Sequence, residues 1–272
     1  MTATPAPAPD TYAIAGRPGR DCLRLLSSVM APSTTALLVK VGVPCNARVL
    51  DLGCGGGDVA AVHSKMASVG HVAGVDFDPA VIEIARAEAR AAGLRNVELR
   101  VGDVTDLDDE DGQYDVVHAR FLLSHLREPA PVLRRMVALC KPGGAVVVQD
   151  IDIEGSMCWP DDAAFAQCCS LYRDTVRARG GDAGIGRRLP SMLRDAGARA
   201  VEATVLQPGG LTGDAKRIQL VTLTNIAASA MALGLITSAG VERLTRQMTA
   251  FVERDDTFVT TARVVQAWGR RA

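Results

Sequence analysis

Lysine is almost missing from this chain: among 272 residues only Lys40, Lys65, Lys141 and Lys216 occur, and the remaining positive charge is arginine. Net charge is just as scarce, at -1, so there is no basic field to draw in nucleic acid or an anionic membrane, and neither is an expected partner. No apolar run approaches the roughly 20 residues of a membrane span. The longest stretch, 218–236, is broken by Thr222, Thr224, Asn225 and Ser229. Residues 1–10 have neither a basic region nor an apolar centre and read as a disordered Pro/Ala tail, not a secretory signal. The seven cysteines (Cys22, Cys45, Cys54, Cys140, Cys158, Cys168 and Cys169) contain no C-x-x-C pair. They fit buried free thiols in a reducing cytoplasm, and no metal centre is expected.

What is present is concentrated in one stretch, Arg48-Val-Leu-Asp-Leu-Gly-Cys-Gly-Gly-Gly-Asp58. Val49 and Leu50 read as the end of a buried strand, with Asp51 at its C-terminal tip. Gly53, Gly55 and Gly57 then turn the backbone into a helix starting near Asp58. Such a turn brings backbone N–H groups close to a ligand, where the helix N-terminus concentrates partial positive charge. A dinucleotide fingerprint needs glycine at the sixth position of G-x-G-x-x-G, and Asp58 stands there instead. The chain also lacks a Tyr-x-x-x-Lys pair, which argues further against a nicotinamide oxidoreductase. The pattern D-x-G-x-G-x-G, from Asp51 to Gly57, resembles motif I of the class I S-adenosylmethionine-dependent methyltransferases. Leu139-Cys-Lys-Pro-Gly-Gly144 is similar to the turn before that family's fifth strand, so the resemblance covers residues 46–150.

Strands are expected at Ala47–Leu52, His71–Asp76, Val97–Gly102, Tyr114–Ala119 and Gly144–Asp150, and helices at Asp58–Ser68, Pro79–Ala92, Ala130–Leu139 and Asp162–Arg179. This alternation calls for a parallel sheet with helices on both faces. The resemblance makes it a seven-stranded, mostly parallel, Rossmann-like α/β sheet. Ahead of it, Asp21–Met30 and Ser33–Val41 read as two helices separated by Ala31-Pro32. Beyond it come a short helix at Leu189–Asp195, an edge strand at Ala200–Leu206, helices at Lys216–Leu233 and Ser238–Glu253, and a last strand at Val259–Trp268. In the family the last two strands form a hairpin, yet here roughly fifty residues separate them, far more than a hairpin loop. The expected organisation is a tail (1–10), N-terminal cap helices (11–44), a cofactor-binding core (45–210 and 256–272) and a helical lid insertion (211–255).

Ligands of open α/β sheets sit beyond the carboxyl ends of the strands. Asp76 ends the second strand, where a carboxylate can accept from both ribose hydroxyls, and Phe77 beside it is a candidate to stack on adenine. The resemblance implies that Asp103 and the backbone of Val104 read the adenine, and that Asp51 and Gly53 lie under the methionine portion of S-adenosylmethionine. It also implies that the backbone carbonyl near His118–Ala119 faces the methionine amino group. Asp51, Gly53, Gly55, Gly57, Asp76, Phe77, Asp103, Val104, His118 and Ala119 are thus the candidate cofactor residues.

The sulfonium carries an activated methyl, so the protein chiefly positions an acceptor, and a base is needed only where the acceptor holds a proton. His125 reads as that base or as a structural histidine capping the next helix, with His118 as the alternative base. His63 and His71 read as surface residues. Asp150, Asp152 and Glu154 share one face by period-two alternation, and read as acceptor-orienting groups or as solvated loop residues. Tyr12, Arg17 and Arg20 lie in the segment that relatives fold over the cofactor, where an arginine can pair with the methionine carboxylate or an acidic acceptor. Met157, Cys158 and Trp159 read as pocket wall or core. The absence of an N-P-P-[YF] motif after the fourth strand argues against nucleobase or glutamine methylation. The expected activity is methyl transfer to a small apolar or aromatic metabolite of secondary metabolism, with a homodimer compatible with the sequence. The rival reading is a cofactor-binding protein that catalyses a cyclisation or rearrangement, or acts as a regulator.

Overall fold

The structure, a computed structural model, describes residues 16–272. The expected tail at 1–10, Tyr12 and the side chain of Arg17 lie outside the described residues. In chain order the elements are α1 Gly16–Val41, β1 Arg48–Leu52, α2 Asp58–Met66, β2 His71–Asp76, α3 Pro79–Ala91, β3 Val97–Val101, β4 Tyr114–Arg120, α4 Pro129–Leu139 and β5 Cys140–Asp152. They continue with β6 Cys158–Trp159, α5 Ala163–Ala178, α6 Leu189–Asp195, β7 Arg199–Leu206, β8 Gly209–Gly210, α7 Asp214–Ala232, α8 Ser238–Glu253, β9 Phe258–Thr260 and β10 Arg263–Arg270.

Seven strands form the main sheet in the order β3-β2-β1-β4-β5-β10-β7. Pairing is parallel from β3 through β5, and β10 runs antiparallel to both of its neighbours. Chain order reverses between β1 and β4, which is where such sheets open a crevice. Alternate residues of each strand feed two apolar layers. Leu50, Leu52, Val117, Val146 and Val148 pack with Leu133 and Met136 of α4 and Leu193 of α6. Val49, Val116, Val147 and Trp268 pack with Leu37 and Leu38 of α1, Ala60 of α2 and Ile82 of α3. A third cluster joins α5, α7 and α8 through Phe165, Leu171, Ile226, Met248 and Phe251.

Four expectations are corrected. The two N-terminal helices are one, with Pro32 inside it. Its span Cys22–Val41 is also long and apolar enough to cross a membrane by length and composition, which the sequence reading did not find. Here Met30, Leu37, Leu38 and Val41 are buried within the fold, and the helix packs on α7 and α2. The expected strand Val259–Trp268 divides into β9, which joins a three-stranded sheet β6-β9-β8, and β10 of the main sheet. Of the three residues read as pocket wall or core, Met157 and Cys158 line a surface cavity, whereas Trp159 is exposed.

The fourth correction concerns the histidines. His63 is wholly buried, not at the surface, and His118 is wholly buried as well. His63 Nε2 lies 2.8 Å from His118 Nδ1, His118 Nε2 lies 3.0 Å from Gln149 Oε1, and Thr34 Oγ1 donates to that oxygen at 3.2 Å. His63 Nδ1 and Gln149 Nε2, the outer polar atoms of this chain, are buried with no hydrogen-bond partner among the described residues. Both imidazoles are neutral: burial pushes His63 down to about 3, while burial and the neighbouring His63 and Arg120 hold His118 well below its ordinary value. The chain ties α2, β4, β5 and α1 together inside an apolar layer, where an unpaired polar group would be costly. His71 does lie at the surface, 3.5 Å from Glu98.

Pro32 has no N–H to give the carbonyl four residues earlier, and its side chain is exposed. Pro32→Ala is expected to stabilise the fold by about 1–3 kcal/mol. Thermal unfolding checks this, and a lowered Tm would show that the proline is needed where it is.

Candidate active site

Asp51 closes β1 at one per cent exposure, and the chain then turns through Gly53, Gly55 and Gly57 with φ of +65°, +50° and +78°. Those left-handed angles are the reason the turn is glycine-rich. Asp76, at the end of β2, holds the turn in place: its Oδ2 accepts from Gly55 N at 2.9 Å and its Oδ1 from Asp78 N at 3.0 Å. Asp78 in turn caps α3 by accepting from Ala80 N and Val81 N. At the end of β3, Asp103 accepts from both Thr105 N and Thr105 Oγ1.

A cavity of about 460 Å³ opens beyond these strand ends. Asp51, Gly53, Gly55, Asp76, Phe77, Asp103 and Val104 line it, as does His125. Three candidates do not. Gly57 is the N-cap of α2 and faces Leu99 and Ala85. His118 is enclosed by His63 and Gln149, so its side chain cannot serve as a base there. Ala119 is held within the sheet between Leu52 and Val148. The next residues, Arg120 and Phe121, reach the cavity instead.

The cavity floor is acidic and fits a cation. Asp51 Oδ2 is buried with no hydrogen-bond partner among the described residues. Burial raises the Asp51 carboxyl from 3.8 to about 7, the Arg120 charge opposes that shift, and Asp76 adds to it. Burial likewise raises Asp76. An orphaned carboxylate oxygen there is suited to an ammonium group. Each Asp76 oxygen accepts a backbone hydrogen bond and keeps a lone pair for a ribose hydroxyl. S-Adenosylmethionine fits this set: Asp51 would hold its amino group, Asp76 its ribose, and Asp103 with the Val104 backbone its adenine beside Phe77.

Arg20 does not point at a ligand carboxylate. It is buried on α1 and donates to both oxygens of Asp58, at 2.6 and 3.0 Å, and to both of Glu88, at 2.5 and 3.3 Å. Burial works against its charge, but the two carboxylates outweigh that and hold the guanidinium above its ordinary value. A Cβ on Gly56 would run into this guanidinium, so Arg20 rests directly on the glycine turn. Asp150 and Asp152 are buried rather than solvated. Asp150 accepts from Ser124 N at 3.0 Å, and Asp152 pairs with Arg263 at 2.8 Å and with Arg187. Glu154 pairs with Arg173 at 3.2 Å.

A second, smaller cavity of about 70 Å³ adjoins the first and shares Leu23, Leu26, Phe121 and His125 with it. Its other walls include Met30, Ile151, Tyr172, Ile218 and Val264. Burial, followed by the positive charge of Arg179, pushes His125 down to about 4, so the imidazole at this junction is neutral near pH 7. Leu23, Leu26, Arg120 and Arg179 are site residues that the sequence reading missed. No local motif marks them, and only the folding of α1 and α5 over the strand ends brings them in.

A seven-stranded sheet in this order, with an acid-capped glycine turn at its reversal point, defines the class I S-adenosylmethionine-dependent methyltransferase fold. The chain belongs to the methyltransferase domain family, whose model matches residues 45–197. It is 35% identical over 111 residues to a ubiquinone biosynthesis O-methyltransferase of Xanthomonas axonopodis pv. citri, a match covering 40% of this chain and 45% of that protein. The chain therefore spans less than half the length of that relative. A Bacillus halodurans protein described as a methyltransferase superposes with a TM-score of 0.60 at 20% identity, over 88% of this chain and 99% of the other. The phosphoethanolamine N-methyltransferase 2 of Haemonchus contortus, solved with phosphomonomethylethanolamine and S-adenosylhomocysteine, gives 0.56 at 18% identity, over 89% of this chain and 53% of the other. At those identities the likeness to both structures is one of fold.

The Asp51 shift has a testable sign. A cation selects the ionised carboxylate, so binding must displace a proton wherever free Asp51 is protonated, below pH of about 7. Affinity for S-adenosylhomocysteine, measured by calorimetry, is expected to fall about tenfold per pH unit below that value and to level off above it. Asp51→Asn should bind weakly with no such dependence. A flat profile for the unaltered protein would remove Asp51 from the amino-group site. In the free protein the same shift works the other way. Asp51 favours folding most at pH below about 4, and that contribution is lost as pH rises through 7.

Proposed function

We propose that this chain transfers the methyl group of S-adenosylmethionine to an oxygen of a small, apolar or aromatic acceptor of secondary metabolism. The observation that carries this reading is the two-limbed cavity. One limb, at the strand ends, has the acidic floor suited to the cofactor; the other, under α1, α5 and α7, is mostly apolar, and His125 and Phe121 stand at their junction. The named function of the Xanthomonas relative supports oxygen as the acceptor atom, and a net charge of -1 favours a small molecule over nucleic acid.

When bound, S-adenosylmethionine supplies a sulfonium-activated methyl, which forms a bond to the acceptor oxygen while the S–C bonding pair stays on sulfur. The residues of the chain do the rest. Asp51, Asp76, Asp103 and the glycine turn fix the donor, and the apolar limb orients the acceptor and excludes water. His125 stands at the junction of the limbs, where it can accept the proton that a phenolic oxygen gives up. α1 and residues 211–255 act as cap and lid over the acceptor limb.

Purified protein incubated with methyl-labelled S-adenosylmethionine and a panel of phenols and catechols is expected to yield labelled ethers. Tight cofactor binding with no transfer to any member would sink the reading. His125→Ala should reduce turnover by about 10²–10⁴-fold with little change in cofactor affinity. A lowered Tm with turnover per folded molecule retained would instead make His125 structural.

A further inference from the structure

One face of α5 runs along both limbs of the cavity. Tyr172, Val176 and Arg179 are spaced i, i+4 and i+7, so they project from the same side over about 10 Å of helix axis. Tyr172 is buried against the apolar limb, whereas Val176 and Arg179 line the larger one. The face is apolar at one end and cationic at the other.

Arg179 is half-buried, and α7 holds it by the back edge of its fork: Nε donates to Ser229 Oγ at 2.8 Å. Among the described residues no carboxylate lies within ion-pairing distance of it. An arginine at a helix C-terminus can fold back onto its own helix carbonyls, but the side-chain bond made here goes to Ser229. A second guanidinium approaches from the loop after β4. A Cβ on Gly180, the residue after Arg179, would lie 2.8 Å from Arg127 Cγ and 3.3 Å from its Nε. Arg127 lines the same cavity. Glu128 is also there, but it is exposed at the rim. Arg127, Arg179 and His125 therefore line one cavity, with Arg179 bonded by its Nε to Ser229.

We propose that the acceptor is an anion: Arg179 grips its carboxylate or phosphate, its apolar body lies along Tyr172 and Val176, and its reacting oxygen meets the methyl at His125. This rests on the reading of the chain as a methyltransferase. The planar fork of arginine matches both anions, and with Nε on Ser229 the two terminal nitrogens of this cavity-lining residue remain for a ligand. Arg179 is in these terms a specificity-determining residue.

The test uses the full chain loaded with S-adenosylhomocysteine and titrated calorimetrically with 3,4-dihydroxybenzoate, 3,4-dihydroxybenzyl alcohol and phenyl phosphate. At least one anion is expected to bind about tenfold or more tighter than the alcohol, the scale of a hydrogen bond to a charged group. Whether the benzoate or the phosphate is preferred tells carboxylate from phosphate recognition. In Arg179→Gln the preference should vanish while affinity for S-adenosylhomocysteine is unchanged, and Arg179→Lys should restore part of it. No preference for either anion, or one that survives in Arg179→Gln, overturns the proposal. So does a parallel loss of S-adenosylhomocysteine affinity in Arg179→Gln, which would place Arg179 on the cofactor's carboxylate. Failure of the unaltered protein to bind S-adenosylhomocysteine would overturn the methyltransferase reading itself, and this proposal with it.

Discussion

The ion cluster of Arg20 with Asp58 and Glu88 is the contact on which the site depends. It joins three helices, α1, α2 and α3, at one buried guanidinium. Taking a guanidinium out of water is costly, and one carboxylate in poor geometry would not offset it. Here two carboxylates each receive two donors, and Glu88 also pairs with Arg24 at 2.6 Å. The same contact suits a glycine at position 56, since a Cβ there would displace the guanidinium from its two carboxylates. With α1 fixed in this way, Leu23 and Leu26 form a wall of the main cavity, and Leu23, Leu26 and Met30 a wall of the smaller one. Asp58 thus has a structural task at the position where a dinucleotide-binding turn would carry its third glycine.

The floor of the site stores an electrostatic cost. Asp51, buried with one oxygen unpartnered, shares its surroundings with Asp76 and Asp58, and the Arg120 charge and a backbone hydrogen bond from Ala60 offset this only in part. Mutually repelling acids at the end of a buried strand are unfavourable for the free fold. A cationic ligand relieves that cost, so the part of the fold least comfortable alone is the part suited to binding. The neutral histidine pair is the opposite case. His63, His118, Gln149 and Thr34 are linked by hydrogen bonds, and their side chains tie α2 to the sheet away from the cavity lining.

What could be read in the sequence was local. The glycine turn, Asp76 and Asp103 each follow a strand within a few residues, so strand ends and turn chemistry were enough to place them on one edge. Interactions across long separations left no such trace. His63 lies on an amphipathic helix and looked solvated, because its partner is 55 positions away. Arg20 looked like a ligand group because the carboxylates that claim it lie 38 and 68 positions on. Asp150 and Asp152 followed a strand as the cofactor residues do, but β5 runs on to Asp152, and both side chains are consumed by neighbours. Pro32 looked like a break, yet burial of Met30, Leu37, Leu38 and Val41 carries one helix through it. Arg179 was illegible for a further reason: a helix C-terminal arginine is ordinary, and only the course of α5 past the strand ends gives it a cavity to face.

Leu23, Leu26, Phe121 and His125 are party walls, shared by the limb proposed for the donor and the limb proposed for the acceptor. A molecule in either limb therefore sets the shape of the other, and linkage requires that whatever free energy the first contributes to the second is returned in equal measure. Donor and acceptor occupancy are in this sense one equilibrium, and the spent cofactor and the methylated product, which keep most of the same contacts, must leave through the same coupling.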